Sequence, residues 1–286
     1  MVTINPYLNF AGNTEEAFNF YRSVFGGEFA ALIRYKDTFE AERTPDSDKN
    51  KLMHVALPMG KGNVLMGTDV WGDMAESLVQ TNSYYICMNG ATPEETGKLF
   101  NALAVGGKVV YPFDKAPWGG YFGQLVDQFG IQWMADSMET INPYLNFAGN
   151  TEEAFNFYKS VFGGEFFMLI RFKDNVEADR TPEADKDKLM HISLPIGEPG
   201  KGNVLMATDA IGEMGKALIQ GNNFHLTITG GDVNEVRTLF NALAAGGGKV
   251  SVPFDKASWG SYFGMLTDQF GIQWMADCAD PDQPKQ

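Results

Sequence analysis

Histidine side chains are the clearest candidates for chemistry in this chain, which has three of them. His54 and His191 stand at matched places in the segments LMHVALP and LMHISLP. An imidazole loses its proton near neutral pH, so each could bind a substrate or act as a general base. The competing interpretation is a strand histidine whose ring is satisfied by a neighbouring carbonyl or carboxylate. Strand alternation predicts that His54 shares a face with Leu52 and Ala56, and that Met53 belongs to the opposite face.

Two aspartates follow predicted strands at matched places, Asp69 in GTD and Asp209 in ATD. An aspartate at the end of a strand commonly caps a turn. Its carboxylate could instead orient His54 or His191, or bind a ligand amine. Both aspartates are therefore candidate ligand-binding residues, and capping of a turn is the simpler alternative.

The candidates recur because the chain carries the same sequence twice. INPYLNFAGNTEEAFNFY occupies residues 4–21 and again residues 141–158 without a difference, and FGIQWMAD ends both copies. A period of this length indicates a duplicated domain rather than a solenoid repeat. We expect one domain at residues 1–138, a second at residues 139–280, and a disordered tail at residues 281–286.

Each half contains one element order twice, namely a strand, a helix and three strands. In the first half, the predicted strands are Ile4–Phe10, Phe29–Tyr35, Leu52–Leu57, Val64–Thr68, Ser83–Met88, Val109–Phe113, Tyr121–Val126 and Ile131–Ala135. One helix follows Asn13, and the other begins in the capping box Thr92-Pro93-Glu94-Glu95. The whole chain therefore has four βαβββ modules. This order fits small curved sheets, each backed by one helix and leaving the other face open.

Bulk composition excludes several classes of partner. The formal net charge is −14 and the pI is about 4.6, which disfavours binding to nucleic acid or to an anionic membrane surface. The two cysteines, Cys87 and Cys278, form no CxxC motif, and this favours a reducing compartment. No signal peptide or long apolar run is found, so we predict a cytoplasmic protein.

A longer motif now points to a family. The pattern PYLNFAG-N-x-EEA-x-x-FY-x-x-x-FGGE, with the later D-x-FG-x-x-W, occurs in both halves. It resembles the glyoxalase/bleomycin-resistance/dioxygenase superfamily, also called vicinal oxygen chelate, and within it the PhnB-like branch labelled 3-demethylubiquinone methyltransferase-like. The resemblance implies an α+β fold in which four βαβββ modules pair into two glyoxalase-like domains, each with a cup-shaped cavity. It also implies an internal pseudo-dimer, present as a monomer or as a homodimer.

The same resemblance implies which residues line the cups. In PhnB-like relatives a glycine-rich hairpin closes over the cavity, and here the hairpins are APWGGYFG and ASWGSYFG. The implied pocket residues are the hairpin tryptophans, the first-strand tyrosines and two asymmetric pairs: Trp118, Trp259, Tyr7, Tyr144, Tyr85, His225, Gln124 and Met265. The alternative for the hairpins is that their aromatic side chains pack into the core. If both members of an asymmetric pair face a cup, the two cups prefer different ligands.

Metal-using members of the superfamily take their ligands from the first and fourth strands of one module and the matching strands of its partner. By that resemblance His225 lies near a ligand position, while the matched strands offer only Asp209 and Asp277 as further donors. A divalent cation requires three or four converging donors. The sequence thus favours no cofactor, and a divalent metal, if bound, would use His225 and Asp209.

The resulting functional hypothesis is small-molecule binding in the cups, with no nucleic-acid or membrane partner. Lyase- or isomerase-type chemistry through His54 and His191 is one reading, and non-catalytic sequestration of a toxic compound is the alternative. A further option is that only one half binds ligand. Methyl transfer is disfavoured, because four βαβββ modules supply no parallel cofactor sheet with a glycine-rich first loop.

Overall fold

The computed structural model describes residues 2–60, 62–117, 119–136, 141–175, 178–197 and 204–281. Its four modules have the predicted strand–helix–three-strand order, which confirms the α+β fold. The first module contains β1 (Thr3–Phe10), α1 (Thr14–Phe25), β2 (Ala31–Arg34), β3 (Leu52–Pro58) and β4 (Val64–Asp69), followed by the short helix α2 (Asp73–Glu76). The second contains β5 (Tyr84–Met88), α3 (Pro93–Leu103), β6 (Lys108–Lys115), β7 (Tyr121–Val126) and β8 (Gln132–Ala135).

The second half repeats these elements. The third module contains β9 (Asn142–Phe147), α4 (Thr151–Phe162), β10 (Met168–Arg171), β11 (Leu189–Pro195) and β12 (Val204–Asp209), followed by α5 (Gly212–Lys216). The fourth contains β13 (Phe224–Gly230), α6 (Val233–Ala245), β14 (Lys249–Lys256), β15 (Ser261–Thr267) and β16 (Gln273–Ala279). None of the helices in the described residues is long and apolar enough to cross a membrane.

The strands form two eight-stranded sheets, and each sheet combines modules from both halves. The orders are β14-β15-β16-β13-β1-β4-β3-β2 and β10-β11-β12-β9-β5-β8-β7-β6. The compact units follow these sheets. As far as it is described, unit 1 consists of residues 2–22, 27–79 and 222–281, and unit 2 consists of residues 23–26 and 80–221. Unit 1 thus holds the first and fourth modules, and unit 2 holds the second and third.

The pairing of modules within residues 1–138 and within residues 139–280, which the repeat predicted, is not what the described strands show. Instead β1 pairs antiparallel with β13, and β5 pairs antiparallel with β9. The strand sequences could not decide between the two arrangements, because β1 and β9 both contain NPYLNF. An exchanged element makes the same local contacts with either copy, as in domain swapping. The predicted boundary at residues 137–140 and the tail from residue 282 lie outside the described residues.

Two asparagines at matched positions hold the observed pairing. In unit 1, the Asn222 amide accepts a hydrogen bond from the Val79 backbone N at 2.7 Å and donates to the Ser77 carbonyl at 2.9 Å. In unit 2, the Asn82 amide accepts from the Ile219 N at 2.6 Å and donates to the Ala217 carbonyl at 2.8 Å. Each amide therefore fastens a segment of one half to a segment of the other.

A cysteine placed opposite Cys87 tests this pairing. Asn142 faces Cys87 across β9 and β5, and facing residues on antiparallel strands have Cα atoms about 4.5–5.5 Å apart, within disulfide range. In a Cys278→Ser background, oxidation of Asn142→Cys should therefore form a disulfide with Cys87. Thiol titration of the denatured protein and peptide mass spectrometry measure the result.

The matched control is Asn5→Cys in the same background. Asn5 and Asn142 each accept a hydrogen bond from a backbone N, that of Val64 at 3.0 Å and that of Val204 at 2.9 Å. The two variants therefore lose equivalent interactions, but Asn5 faces Thr227 rather than Cys87. This control should keep both thiols. Crosslinking of Asn5→Cys, with free thiols in Asn142→Cys, would show that modules pair within each half.

Candidate functional site

The helices cover one face of each sheet and leave the other for a site. In unit 1, Phe18 of α1 packs edge-on against Phe10 of β1, and a side chain added at Gly67 of β4 would meet the Phe18 ring. Alternation directs the neighbouring residues of these strands to the opposite face. We call that face the inner face of unit 1. Strand register places on it Tyr7, His54, Met66, Thr68, His225, Thr227, Phe263, Met265, Gln273, Met275 and Asp277.

A tyrosine–histidine pair lies on this inner face. The Tyr7 hydroxyl is 3.3 Å from Nδ1 of His54, and the two rings stack with centroids 5.9 Å apart. The Thr68 hydroxyl is a further hydrogen-bond partner of the phenol and lies 3.3 Å from the Leu52 carbonyl oxygen. Burial raises the pKa of Tyr7 and lowers the pKa of His54. Both side chains are therefore uncharged near neutral pH.

Unit 2 contains the same pair. Tyr144 Oη lies 3.3 Å from Nδ1 of His191, and Thr208 is again a partner of the phenol. Burial is the main cause that raises the pKa of Tyr144 and lowers the pKa of His191. Sequence reasoning missed both threonines. Strand alternation could have identified them, because each threonine stands two residues after a methionine and therefore shares its face. In the structure these methionines lie beside the tyrosines.

A β-bulge corrects the predicted faces of the His54 strand. Ile33 pairs with His54, but the next residue of β2, Arg34, pairs with Leu52, so Met53 is an extra residue in β3. Leu52 is consequently fully buried, like Val55 and not like His54. The predicted grouping of His54 with Ala56 is retained, whereas its grouping with Leu52 is wrong. Regular alternation cannot anticipate an inserted residue.

His225 lies directly opposite Tyr7 on the neighbouring strand, and its side chain is only 3% exposed. Burial lowers the pKa of His225 to about 4, and a hydrogen bond with the Gln273 side chain opposes that effect. Nδ1 has no hydrogen-bond partner among the described residues. In the neutral tautomer that carries its proton on Nε2, Nδ1 is therefore an unused acceptor.

Unit 2 fills its inner face differently. Tyr85, the counterpart of His225, lies opposite Tyr144. A buried cluster joins these two side chains to neighbouring residues, and its members are Tyr85, Cys87, Met134, Tyr144 and Met206. Gln124 is adjacent to Met134 and is 6% exposed, whereas its counterpart Met265 is partly exposed.

Trp259 lies at the rim of the inner face of unit 1. It stacks on Phe39 with centroids 5.2 Å apart, so the long loop after β2 reaches the β14–β15 hairpin. The Trp259 indole N–H donates to the Ser261 hydroxyl at 2.8 Å, and that hydroxyl donates to the Asp277 carboxylate at 2.9 Å. The half-exposed indole shows that Trp259 does not pack into the core, and its role as a pocket-lining residue stays a prediction. Trp118 lies outside the described residues.

Asp69 and Asp209 lie on the helix face rather than on the inner face. Asp69 Oδ1 accepts from the Thr14 N at 3.0 Å and the Thr14 hydroxyl at 2.7 Å, while Oδ2 accepts from the Leu52 N at 2.9 Å. Asp209 makes the same three bonds in unit 2. These carboxylates fix the starts of α1 and α4. Their predicted ligand-binding role is therefore replaced by the capping role.

The residues present do not fit a divalent metal. His225 belongs to the first sheet, whereas Asp209 belongs to the second, where its carboxylate accepts hydrogen bonds from Thr151 and Leu189. In the part of the chain that the structure describes, no three His, Cys, Asp or Glu side chains gather into a metal-binding group. The inner-face positions beside Tyr7 hold His225 and Met66, which supply too few hard donors.

The depressed pKa of His225 predicts an acid-sensitive fold. The unfolded chain takes up a proton near pH 6.5, whereas the folded ring does so only near about 4, so stability falls as the pH falls between these values. The cost at about pH 5 is about 2 kcal/mol. His225→Tyr, which copies the second-module residue, should remove this loss. Urea unfolding of both proteins at neutral pH and at about pH 5 measures the difference.

Comparison with the variant isolates His225 from its neighbours. His54 contributes a slope of the same sign, while Asp277, whose pKa burial raises, contributes the opposite slope in both proteins. Equal losses of stability in the wild type and the variant would contradict a neutral, buried His225.

Comparisons with known proteins agree with the duplicated architecture. Residues 140–276 match the family model described as Glyoxalase/Bleomycin resistance protein/Dioxygenase superfamily, and residues 2–135 match the model described as 3-demethylubiquinone-9 3-methyltransferase. The chain is 30% identical over 154 residues to Protein YjdN of Escherichia coli (strain K12), covering 51% of this chain and 99% of that protein. It is 35% identical to protein PA1353 from Pseudomonas aeruginosa, covering 46% of this chain and 92% of that one, with a TM-score of 0.40.

The similarity that spans the whole chain is a similarity of fold only. Glyoxalase I from Zea mays is 13% identical, with 97% of this chain and 93% of that chain covered and a TM-score of 0.65. The sequence likeness to YjdN, by contrast, spans nearly that entire protein. The chain therefore belongs to the glyoxalase/bleomycin resistance protein/dioxygenase superfamily, as a tandem protein with PhnB-like halves.

Proposed function

We propose that this chain binds a small, uncharged, partly apolar molecule on an inner face, with the tyrosine–histidine pair of that face as the polar anchor. The observation that carries this proposal is the 3.3 Å contact between a phenol oxygen and an imidazole Nδ1, which recurs in both units. A hydrogen-bonded pair on a partly buried face can recognise one polar group of a ligand, while apolar neighbours hold the rest. Membership of a superfamily with small-molecule cavities supports the same reading.

The lining explains why the ligand is uncharged. The residues named above on the inner face of unit 1 include methionines and aromatic rings but no lysine or arginine, and Lys249, opposite Thr267 on the edge strand β14, is exposed. A buried anion would lose its hydration without gaining a cationic partner. The net charge of −14 also repels anions from the surface. The proposed ligand is therefore neither a phosphate ester nor a carboxylate. Methyl transfer is not proposed either.

Sequestration without reaction requires nothing beyond these contacts, and we infer that it is the basic activity. Its cellular setting is inferred to be the reducing cytoplasm, which the free thiols of Cys87 and Cys278 support. We also infer that the internal pseudo-dimer exists as a monomer or as a homodimer.

Binding can be tested with acetophenone, benzamide and cyclohexanone as neutral probes and benzoate as the anionic control. Saturation-transfer NMR and calorimetry should show saturable binding of at least one neutral probe and none of benzoate. The Tyr7→Phe/Tyr144→Phe double variant should bind about tenfold more weakly, since one hydrogen bond is lost at either site. Tyr121→Phe, at an exposed position that shares the helix face with Gly123, is the matched control and should bind normally. Absence of saturable binding by every neutral probe would contradict the proposal.

Proton transfer of the lyase or isomerase type is the second candidate, favoured by the hydroxyl chain behind His54. The Thr68 hydroxyl can donate to the Leu52 carbonyl and accept from Tyr7, which leaves the Tyr7 oxygen to accept from Nδ1–H of His54. Nε2 would then be a bare base at neutral pH. It could remove a proton from the carbon beside a ligand carbonyl and return one to that carbon.

Hydrogen–deuterium exchange tests this chemistry directly. In D₂O the methyl protons of bound acetophenone should exchange faster than in buffer, and the His54→Gln/His191→Gln double variant should lose the acceleration. The rate should fall with decreasing pH as the imidazole becomes protonated, because the protonated ring has no lone pair. A rate unchanged by the double substitution would leave sequestration as the function.

A further inference from the structure

Resting on the proposed function, we propose that ligand occupies only unit 1, where His225 and Thr227 take an uncharged ligand bearing an O–H or N–H donor, such as a phenol. The inner face of unit 2 is filled by its own side chains. The two matched faces have therefore diverged into one binding site and one packed core.

Unused acceptors define the ligand chemistry. His225 Nδ1 and Thr227 Oγ1 have no hydrogen-bond partners among the residues the structure describes, and both side chains are 3% exposed. They are two residues apart on β13, so they share the inner face opposite Tyr7 and Asn5. With the proton of the neutral ring on Nε2, Nδ1 can only accept. A ligand that brings a donor to Nδ1 satisfies this atom, whereas an acceptor does not.

The lining of unit 1 is also more accessible than that of unit 2. Tyr7, Met66 and Met265 are partly exposed. The matched residues of unit 2 are buried, with exposures of 6% for Tyr144, 2% for Met206 and 6% for Gln124. The methionines at these positions of unit 1 are flexible side chains that can move to admit a ligand.

Unit 2 differs at the positions that create the acceptors. Tyr85 and Cys87 replace His225 and Thr227, and both belong to the buried cluster with Tyr144. Unit 2 does hold unpartnered Gln124 Oε1 and Ser193 Oγ within the described residues. These atoms lie on β7 and β11, which four strands separate in the sheet order, and they do not share a strand as His225 and Thr227 do.

The rim supports the same assignment. Phe39 and Trp259, 43% and 47% exposed, stack over the side of unit 1 where Ser261 contacts Asp277. The sequence of unit 2 has Val176 and Gly120 at the positions of Phe39 and Ser261. Unit 2 therefore has neither an aromatic ring at the position of Phe39 nor a hydroxyl at the position of Ser261. An aromatic ligand ring suits such an entrance.

Calorimetry with 4-hydroxyacetophenone and 4-methoxyacetophenone tests the inference, because the two probes differ by the donor. The wild type should bind the hydroxy probe at one site per chain and at least about tenfold more tightly than the methoxy probe. His225→Tyr should abolish this preference. Tyr85→Phe is the matched control in unit 2 and should change neither stoichiometry nor preference, and thermal melting of each variant verifies folding.

The outcomes separate this inference from the proposed function. Two equivalent sites per chain, or a preference that survives His225→Tyr, would overturn the assignment to unit 1 while leaving small-molecule binding intact. Loss of binding on Tyr85→Phe with normal melting would place the site in unit 2 and have the same consequence. Absence of binding by both probes and by the neutral probes above would overturn the proposed function itself.

Discussion

The antiparallel pairing of β1 with β13 and of β5 with β9 is the constraint on which the rest of the structure depends. It places Tyr7 opposite His225 and Tyr144 opposite Tyr85. Asn222 and Asn82 fasten the two halves in this arrangement through hydrogen bonds to the backbone. If the modules paired within each half, the same residues would face different partners, and the two inner faces would exchange their asymmetric members.

Burial then determines the chemical character of these faces. Desolvation disfavours charge, so it raises the pKa of each tyrosine and lowers the pKa of each histidine. The result is a set of neutral donors and acceptors beside methionines, which suits recognition of a neutral molecule and, through an unprotonated imidazole, proton transfer. Two strand-end carboxylates, Asp69 and Asp209, are committed to the helix starts on the other face, and Asp277 on the inner face of unit 1 accepts a hydrogen bond from Ser261.

Much of this architecture could be predicted from the sequence, because strand patterns and capping signals are local. The Thr92 cap is an example, since its hydroxyl accepts from the Glu95 N as the capping box predicted. The module pairing could not be predicted, because identical strands offer identical partners. The Met53 bulge could not be predicted either, since it depends on pairing with β2. The sequence named Tyr7, His54 and His225 as candidate site residues. Only the strand order shows that these three residues are neighbours.

Long-range ¹H–¹⁵N NMR of the imidazole nitrogens tests the central claim most directly, because His54, His191 and His225 are the three histidines of the chain. A buried, uncharged inner face predicts a neutral His225 ring at about pH 6, where a freely exposed imidazole is mostly protonated, and lowered pKa values for His54 and His191. His225 should carry its proton on Nε2 and show the shift of a bare Nδ1. An imidazolium signal for His225 at that pH, or a proton on its Nδ1, would contradict the account.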